Sequence, residues 1–562
     1  MRKDRWLLGS VVVALGLTVY ANTARDDFAW DDVHIVANND AVSAGDMGLA
    51  LTSSYWPKSF VLDHGRLWRP FTVATFALEW SVFGDGAGAF HLVNAAAHAG
   101  VSLLVFLLLC QWVGTIAAGI GAAVFAVHPV HTEAVANVVG LSELGAAAGC
   151  LVACLLYLKL MDARSTASRV GLSTAIAASY MVALGFKEIG VTLPALLLLM
   201  AWARERGSHR GLWRRLGSEA PLFALLAAIL GTYLVVRTSI LGVTLGDMTA
   251  PELVGLGTGA RLLTAVSLWT DYARLLVFPL DLSADYGPAV RFPTHAIDGL
   301  VVVGAMVAAG VILGAVASRR KAPTVALGLA WVPVAMLPVS HLLFPAGILF
   351  GERTLYLASI GLALTVAGAA EWVGDRGPAA ARIGIAGAVL ITMGFGVRTW
   401  VRNRDWRDND TVLASLARDH PESYVVARMQ ALHDMSVGDE RGALALFARA
   451  VRLEPNSFLT LTEAAQYYRH LGLDRRAEVV LRQATRAFPA NPYPWAMLAR
   501  LRLDDGDVAE SRRIALEGLE ASRIWLPDLW RIVSEGYARE GRSLDAGRAS
   551  VMTRHGATLY GS

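Results

Sequence analysis

The chain has 562 residues, of which 55% are hydrophobic and 17% are charged, against roughly 25% charged in ordinary soluble domains. Its formal net charge is +3, and its three cysteines all lie inside apolar runs. These values exclude a single soluble globule, a disulfide framework and a cysteine zinc site. No nucleic-acid-binding pattern is present, so we expect no nucleic-acid partner.

The charges are unevenly distributed along the chain. Residues 401–562 hold almost half of the 50 basic and 47 acidic residues in less than a third of the length. The first 400 residues are therefore expected to lie in lipid and the remaining residues in water. We predict an all-α protein with a transmembrane domain over residues 1–401 and a soluble domain over residues 402–562.

Eleven apolar stretches are predicted to cross the ~30 Å hydrocarbon core as helices. The first could instead be a cleaved signal peptide, because basic residues precede a short apolar core, but the ten later stretches favour a retained helix. The stretches are residues 6–21, 90–112, 114–127, 142–160, 170–185, 191–203, 220–236, 298–317, 322–340, 350–371 and 381–401.

Clusters of basic residues predict the orientation, because lysine and arginine are enriched in cytoplasmic loops. A cytoplasmic N-terminus and eleven crossings place residues 402–562 on the external, periplasmic side of what we expect to be a bacterial cytoplasmic membrane. Residues 237–297 then begin and end outside, so the moderately apolar segment 261–286 is predicted to be re-entrant or interfacial. The clusters are Arg2, Lys3 and Arg5; Lys159, Arg164 and Arg169; Arg204, Arg206, Arg210, Arg214 and Arg215; Arg319, Arg320 and Lys321; and Arg376 and Arg382.

The first external loop, residues 22–89, is long for a connector. It carries the pair Asp31 and Asp32 directly after Phe28, Ala29 and Trp30. An aspartate pair could cap a helix or take part in chemistry, and the pattern alone leaves both open.

Further polar residues lie where helices meet outside. Ionisable side chains at membrane depth are costly and are candidates for function. For His128, His131 and Glu133, the histidine spacing beside a proline lacks the i, i+4 pair of zinc proteases, which favours helix capping or a substrate pocket over a metal site. The full set is Arg69, His91, His128, His131, Glu133, Lys187, Glu188, His341, Glu352 and Arg353.

The soluble part shows a repeat. Pro421, Pro455 and Pro489 are separated by 34 residues each, which is the period of the tetratricopeptide repeat. We predict an α-solenoid that presents a concave surface to extended peptides, with an unrelated helical bundle as the alternative. The supporting residues are Ala443, Phe447 and Ala450; Tyr468, Ala477, Leu481 and Ala484; Trp495 and Leu498; and, in a degenerate last repeat, Trp530, Tyr537 and Ala546.

The polar motifs of the external loops, followed by the repeats, resemble the transmembrane and tetratricopeptide-repeat-containing protein O-mannosyltransferases. These enzymes are C-type, polyprenol-dependent glycosyltransferases. The chain departs from the family pattern at Leu141, where the family has an arginine. It also has fewer repeats than animal members, which is consistent with a prokaryotic relative. The matching stretches are residues 28–38, 68–76, 90–98, 125–143, 187–188, 275–286 and 340–361, the last containing Gly351, Glu352, Arg353, Thr354, Leu355 and Tyr356.

The resemblance implies inverting transfer of a mannose-type sugar from a polyprenyl phosphate to serine or threonine hydroxyls of exported proteins. Asp31 would be the base and Asp32 its neighbour on acceptor or sugar hydroxyls, with the reverse assignment left open. Arg353, Lys187 and Arg69 would bind the donor phosphate. The sugar and acceptor pocket would contain His91, His128, His131, Glu133, Glu188, His341 and Glu352, with Glu188 and Glu352 orienting the cations.

No cofactor is predicted, and a divalent metal is left open. The implied partners are the polyprenyl-phosphate sugar in the membrane and an acceptor protein gathered by the repeats. The alternatives are a cell-envelope lipid or polymer as acceptor, a transporter, and a membrane-anchored repeat scaffold without catalysis.

Overall fold

A computed structural model describes residues 2–57, 66–205, 209–242, 244, 249–287, 291–522 and 527–559. Every regular element in these ranges is a helix, so the predicted all-α fold is confirmed. Arg206, one of the predicted cytoplasmic residues, lies outside them. The three cysteines are unpaired in the structure.

The apolar part contains seventeen α-helices in the described residues. Several begin with proline in the first turn, where its missing N–H costs nothing, and Asp298 caps one of them by accepting the N–H of Val301 at 2.8 Å. In order they are α1 (Arg2–Val19), α2 (Asp40–Ser43), α3 (Met47–Thr52), α4 (Pro70–Phe83), α5 (Ala87–Leu109), α6 (Thr115–Ala126), α7 (Thr132–Val135), α8 (Leu141–Asp162), α9 (Thr166–Phe186), α10 (Leu193–Arg204), α11 (His209–Leu241), α12 (Thr258–Ser267), α13 (Trp269–Val277), α14 (Gly299–Ser318), α15 (Pro323–Met336), α16 (Tyr356–Gly374) and α17 (Pro378–Arg402).

Eight helical segments of the described chain are long and apolar enough to cross a membrane. They are Lys3–Arg25, Ala87–Leu109, Val138–Asp162, Thr166–Phe186, Gly217–Leu241, Gly299–Ser318, Glu352–Gly374 and Pro378–Trp406. The predicted stretch 114–127 corresponds to α6, which together with Pro129–Val135 forms a pair bent by 48° and can count as a ninth span. Pro129 cannot donate to a continuing helix, which explains the bend.

The other two predicted stretches are shorter helices. α10 has 12 residues and follows a 3₁₀ turn, Glu188–Thr192. The stretch 322–340 is an apolar helical segment, Pro323–Val339, that begins at one proline and ends in a 3₁₀ turn containing another. Pro194 and Pro323 stand in the first turn of these two helices and Pro338 follows the second, which limits their α-helical length. Eleven full-length spans are therefore not observed in the described residues.

The helices of the apolar part pack around one large core, and small residues permit close approach. α9 packs along α8, α16 along α15, and α1 along α5. A side chain at Gly121 of α6 would collide with the backbone of Ala363 in α16, so these two helices touch through glycine. Small contact residues of this kind are typical of helices that pack in membranes.

The long first loop is folded rather than extended. It contains a 3₁₀ helix (Ala21–Arg25), a π-helix (Val33–Ala37) and α2 to α4. Its own apolar core includes Phe28, Val36, Tyr55 and Phe76. The segment between α11 and α14 contains the short helices α12 and α13, both of which pack against α14.

The C-terminal part is built of paired helices. Their first members begin at Tyr424, Phe458, Pro492 and Pro527, so successive pairs are offset by 34, 34 and 35 residues. Residues such as Ala443, Phe447 and Leu481 form a core separate from that of the apolar part. After α18 (Asn409–Asp419), the pairs are α19 (Tyr424–Val437) with α20 (Glu440–Leu453), α21 (Phe458–His470) with α22 (Asp474–Ala487), α23 (Pro492–Asp504) with α24 (Val508–Ala521), and α25 (Pro527–Arg539) with α26 (Ser543–Leu559).

Candidate functional site

Asp31 lies in a turn of the first loop, shortly after the first membrane helix and close in space to the start of α18. Trp30, the residue before it, has a φ of +57°, a left-handed conformation that is costly for a bulky residue and is often found at functional sites. The N–H of Trp30 donates to Oδ1 of Asn409 at 2.6 Å, at the start of α18. The turn that presents Asp31 is therefore held in place by the start of α18.

Arg353 holds Asp31 and Glu133 together. Its Nη1 donates to Oδ2 of Asp31 at 2.9 Å, and its Nε lies 3.3 Å from Oε1 of Glu133. The backbone N–H of Arg353 donates to the other oxygen of Glu133 at 2.8 Å. Both Asp31 and Arg353 keep about a fifth of their side chain exposed, so the pair is accessible from solvent.

A second charged group lies beside the first. Lys187 pairs with Glu143, and Arg69 donates from Nε to Glu188 at 3.1 Å. Arg237 binds the other oxygen of Glu188 at 3.2 Å. The hydroxyl of Thr72 donates to the carbonyl of Phe186 at 2.8 Å, which fixes the start of α4 against the end of α9.

The structure brings together the three predicted phosphate-binding cations. Burial lowers the pKa of Lys187, and the charges of Arg69 and Arg353 lower it further while Glu143 opposes them. Burial would raise the pKa of Glu188, but Arg69 and Arg237 outweigh it and hold the pKa at about 2. These mutual effects show that the three cations lie close together, each beside a carboxylate partner.

Asp32 is placed differently from our expectation that it contacts acceptor or sugar hydroxyls. Its side chain is fully buried. Its oxygens accept the N–H groups of Val138 at 3.0 Å and Val139 at 2.8 Å. Burial raises its pKa to about 7, against the opposing effect of these hydrogen bonds. Asp32 therefore ties the Asp31 turn to the segment before α8.

The segment that receives Asp32 is a tight 3₁₀ turn, Val138–Gly140. A Cβ at Gly140 would overlap the carbonyl of Ala134, so only glycine fits this close approach. Leu141, the departure from the family pattern, is buried in the core of the first loop.

The predicted pocket histidines are enclosed rather than open to a substrate. His91, His128, His131 and His341 are each at most 1% exposed. Their ring nitrogens lie 3.2 Å from the carbonyl of Asp27, 3.0 Å from that of Leu276, 2.7 Å from the hydroxyl of Ser359 and 2.7 Å from the carbonyl of Leu349, respectively. These contacts join chain segments, so the histidines support the fold beneath the site.

Glu352 faces away from Arg353, although it is the next residue. Its Oε1 accepts the N–H of Ser283 at 2.6 Å and the hydroxyl of Tyr286 at 2.7 Å. It is fully buried, so it holds the segment after α13 and does not balance the site cations. Glu188, in contrast, contacts Arg69 and Arg237 as expected.

Sequence reasoning left three residues out of the site. Glu143 pairs with Lys187, Arg237 binds Glu188, and the ring of Tyr55 lies 4.5 Å from the Arg69 guanidinium carbon. Arg237 could have been found from the sequence, because it is a charged residue directly after an apolar run. Nothing in the sequence pattern pointed to Tyr55. In the described part of the chain, no group of three or more histidine, cysteine or acidic side chains is arranged to hold a metal ion.

No protein-family model matches the chain. It is 27% identical over 513 residues to the protein O-mannosyl-transferase TMTC3 of Mus musculus, covering 85% of this chain and 54% of that protein. It is 29% identical over 503 residues to the protein O-mannosyl-transferase Tmtc1 of Drosophila melanogaster, covering 73% and 57%. The chain thus spans about half the length of these relatives.

Among solved structures, ArnT of Cupriavidus metallidurans bound to undecaprenyl phosphate aligns with a TM-score of 0.41 at 14% identity, covering 85% of this chain and 80% of that one. The curated relatives are the family that the sequence motifs resemble, so this resemblance is confirmed. They are animal proteins, and the prokaryotic origin stays a prediction.

Proposed function

We propose that this homologue of the protein O-mannosyltransferases transfers a mannose-type sugar from a polyprenyl phosphate to serine or threonine hydroxyls of exported proteins. The observation that carries the proposal is the pairing of an accessible carboxylate, Asp31, with Arg353 beside two further cations, Arg69 and Lys187. Similarity to protein O-mannosyl-transferases over most of the chain supports the substrate class.

Asp31 acts as the general base. One of its oxygens is held by Arg353, which directs the carboxylate and leaves the other oxygen for an acceptor hydroxyl. The hydroxyl gives its proton to Asp31, its oxygen forms a bond to the anomeric carbon, and the bond from that carbon to the phosphate oxygen breaks. Attack opposite the leaving phosphate inverts the anomeric centre.

Arg353, Lys187 and Arg69 stabilise the leaving polyprenyl phosphate. Its negative charge develops as the sugar departs, and cations already in place lower the energy of that state. Glu133, Glu143 and Glu188 form ion pairs with these cations. Lys187 offers a point charge, whereas the two guanidinium groups offer forked donors.

The repeats favour a protein acceptor over an envelope lipid or polymer. The helix that leads into them, α18, contacts the Asp31 turn through Asn409, so a polypeptide held by the repeats would approach the base. A scaffold without catalysis would need neither this contact nor a buried group of opposed charges. We place the site and the repeats on the external face of a cell membrane.

The test is transfer from polyprenyl-phosphate mannose to a Ser/Thr-rich peptide by the purified full-length protein. Asp31→Asn should abolish transfer, whereas Asp40→Asn, an exposed aspartate of the same loop, should preserve it. Full activity of a folded Asp31→Asn variant would contradict the assignment of the base. Transfer of the sugar to co-purified lipid rather than peptide would favour the alternative acceptor.

A further inference from the structure

The ring of Tyr55 lies against the guanidinium group of Arg69. The Arg69 guanidinium carbon is 4.5 Å from the centroid of that ring. Tyr55 is 3% exposed and the Arg69 side chain is 12% exposed, so water has little access to the contact. A cation over an aromatic face is attracted by the electrons of the ring, and this attraction grows when water is removed. The ring therefore binds one of the three cations of the site.

Backbone hydrogen bonds hold the ring in this place. The N–H of Tyr55 donates to the carbonyl of Leu67 at 2.8 Å. The indole N–H of Trp68 donates to the carbonyl of Leu51 at 3.0 Å. These two bonds join the segment that ends at Tyr55 to the segment that leads into Arg69. The contact between ring and guanidinium thus follows from the fold of the first loop.

A second contact holds Arg69 from a different part of the chain. Nε of Arg69 donates to Glu188 at 3.1 Å, and Nη1 of Arg237 donates to the other oxygen of Glu188 at 3.2 Å. Nη2 of Arg237 donates to the carbonyl of Arg66 at 3.2 Å. Arg237 therefore fixes both the carboxylate that receives Arg69 and the segment that carries it.

The two contacts restrict the guanidinium group in different directions. Glu188 holds its Nε edge, and the Tyr55 ring lies against it at a distance typical of a cation–π contact. Arginine has a long side chain with large rotamer entropy, and its planar group binds phosphate through forked donors. A guanidinium that is already held in place loses less conformational entropy when an anion binds.

Tyr55 is also close to the second charged pair of the site. Burial raises the pKa of its hydroxyl, the charge of Arg69 opposes this effect, and the charges of Asp31 and Arg353 raise and lower it, respectively. The ring is therefore within electrostatic range of both charged groups. A change in the ring acts where the donor phosphate is expected to lie.

We propose that Tyr55 is a positioning residue for the donor: its ring holds the Arg69 guanidinium in the direction that binds the phosphate of the polyprenyl-phosphate sugar. Glu188, held by Arg237, completes this Arg69 clamp. The inference rests on the proposed function and adds a residue to its donor site. The electrons of the ring face perform this role, and the hydroxyl is not required for it.

The test varies the electrons of the ring and keeps its shape. Fluorine atoms withdraw electrons from an aromatic face and weaken its attraction for a cation stepwise. Phenylalanine, difluorophenylalanine and trifluorophenylalanine are placed at position 55 of the full-length protein by stop-codon suppression. Affinity for undecaprenyl phosphate, a polyprenyl phosphate without sugar, is then measured in detergent.

Affinity should fall with each step of fluorination, by about tenfold in total relative to Tyr55→Phe. Tyr55→Leu, which removes the ring, should bind at least as weakly as the trifluoro variant. Equal affinity across the series would overturn the proposal, because a residue that only fills space responds to shape and not to ring electrons. Thermal unfolding of the same samples confirms that each variant is folded.

Tyr537 provides the matched control. Its ring lies 4.5 Å from the guanidinium carbon of Arg542, the same distance as in the Arg69 clamp, but in the repeats. The same substitutions at position 537 should leave the affinity for undecaprenyl phosphate unchanged. A similar fall at position 537 would show that the effect does not come from the donor site and would contradict the proposal.

Sugar transfer separates this inference from the proposed function. Fluorination at position 55 should raise KM for polyprenyl-phosphate mannose and leave KM for the acceptor peptide unchanged. Graded affinity for undecaprenyl phosphate without any sugar transfer by the wild type would refute the proposed function and keep the Arg69 clamp. Transfer by the wild type with equal donor KM across the series would refute the clamp and keep the function.

Discussion

Arg353 donates a hydrogen bond from Nη1 to Oδ2 of Asp31 at 2.9 Å, across 322 residues of sequence. The same residue meets Glu133 through Nε and through its backbone N–H. One arginine thus joins the first loop, the turn after α6 and the start of α16. The direction of the Asp31 carboxylate depends on all three segments.

The first prediction concerns this arginine. Arg353→Lys should lower kcat by about 10- to 100-fold, because a hydrogen bond to a charged group contributes about 1.5–3 kcal/mol and a lysine lacks the fork that reaches both carboxylates. Steady-state sugar transfer measures the change. Arg407→Lys is the control, since the Arg407 side chain is exposed and pairs with the adjacent Asp408. An unchanged kcat in Arg353→Lys would show that the fork is not needed.

The second prediction separates the two neighbouring aspartates. Asp32→Asn should destabilise the protein by roughly 1–3 kcal/mol, because its amide group would leave a buried N–H of Val138 or Val139 without an acceptor. Asp31→Asn should lower activity and leave stability nearly unchanged. Thermal unfolding and limited proteolysis in the same detergent measure the difference. Equal melting temperatures for Asp32→Asn and the wild type would contradict the positioning role.

The fold was largely predictable because membrane helices leave a strong local signal. The apolar runs all became helices, and the 34-residue proline spacing matches the paired helices that begin at Tyr424, Phe458 and Pro492. Lengths were less predictable: Pro129 bends one span, and α10 is shortened by the 3₁₀ turn before it. A hydropathy window does not register these local effects of backbone geometry.

The site was predictable in its residue types but not in its pairings. Asp31, Lys187 and Arg353 are predictable as candidates because ionisable side chains at membrane depth are costly and are by default functional. The sequence did not show that Asp32 would turn inward to the N–H groups of Val138 and Val139, or that the histidines would be enclosed. The direction in which each side chain points depends on tertiary contacts between distant segments, and residue type alone does not determine these contacts.

The third prediction concerns pH. Burial, with the nearby charges of Asp285 and Glu454, raises the pKa of Glu252 from its ordinary 4.5 to about 8. Glu252 is buried in the loop whose Val254 and Gly255 face Asn456 and the end of α22 in the second repeat pair. A carboxyl with a raised folded-state pKa contributes stability that is present below its unfolded pKa and is lost as the pH rises through about 8.

Glu252→Gln should therefore remove part of the pH dependence of thermal stability. Glutamine stays neutral, so above pH 8 the variant should melt at a higher temperature than the wild type, and near pH 4.5 the two should converge. Glu422→Gln, at an exposed position in the repeats, should behave as the wild type. Parallel melting curves for Glu252→Gln and the wild type across this range would contradict the prediction.

The last prediction concerns the side of the membrane on which the repeats lie. Glu188, just before α10, contacts Arg237 near the end of α11, whereas Arg204, at the other end of α10, lies 3.4 Å from Asp162 at the end of α8. α10 therefore connects the face that carries the site with the opposite face, although it has only 12 residues. With the 3₁₀ turn before it, the segment has 17 residues, the lower limit for a span of about 17–25.

If the bent segment that contains α6 counts as one crossing, and α10 and α15 both traverse the bundle, the eight full-length spans become eleven crossings and the two chain ends lie on opposite sides. Alkaline phosphatase, which requires disulfides formed outside the cytoplasm, should then be active when fused after Ser562. A fusion truncated after Lys321, in a predicted cytoplasmic cluster, should be inactive. The opposite pattern would place the repeats inside. It would also separate Asp31 from exported acceptors, because the Asp31 turn contacts Asn409 at the start of α18, the helix just before the repeats.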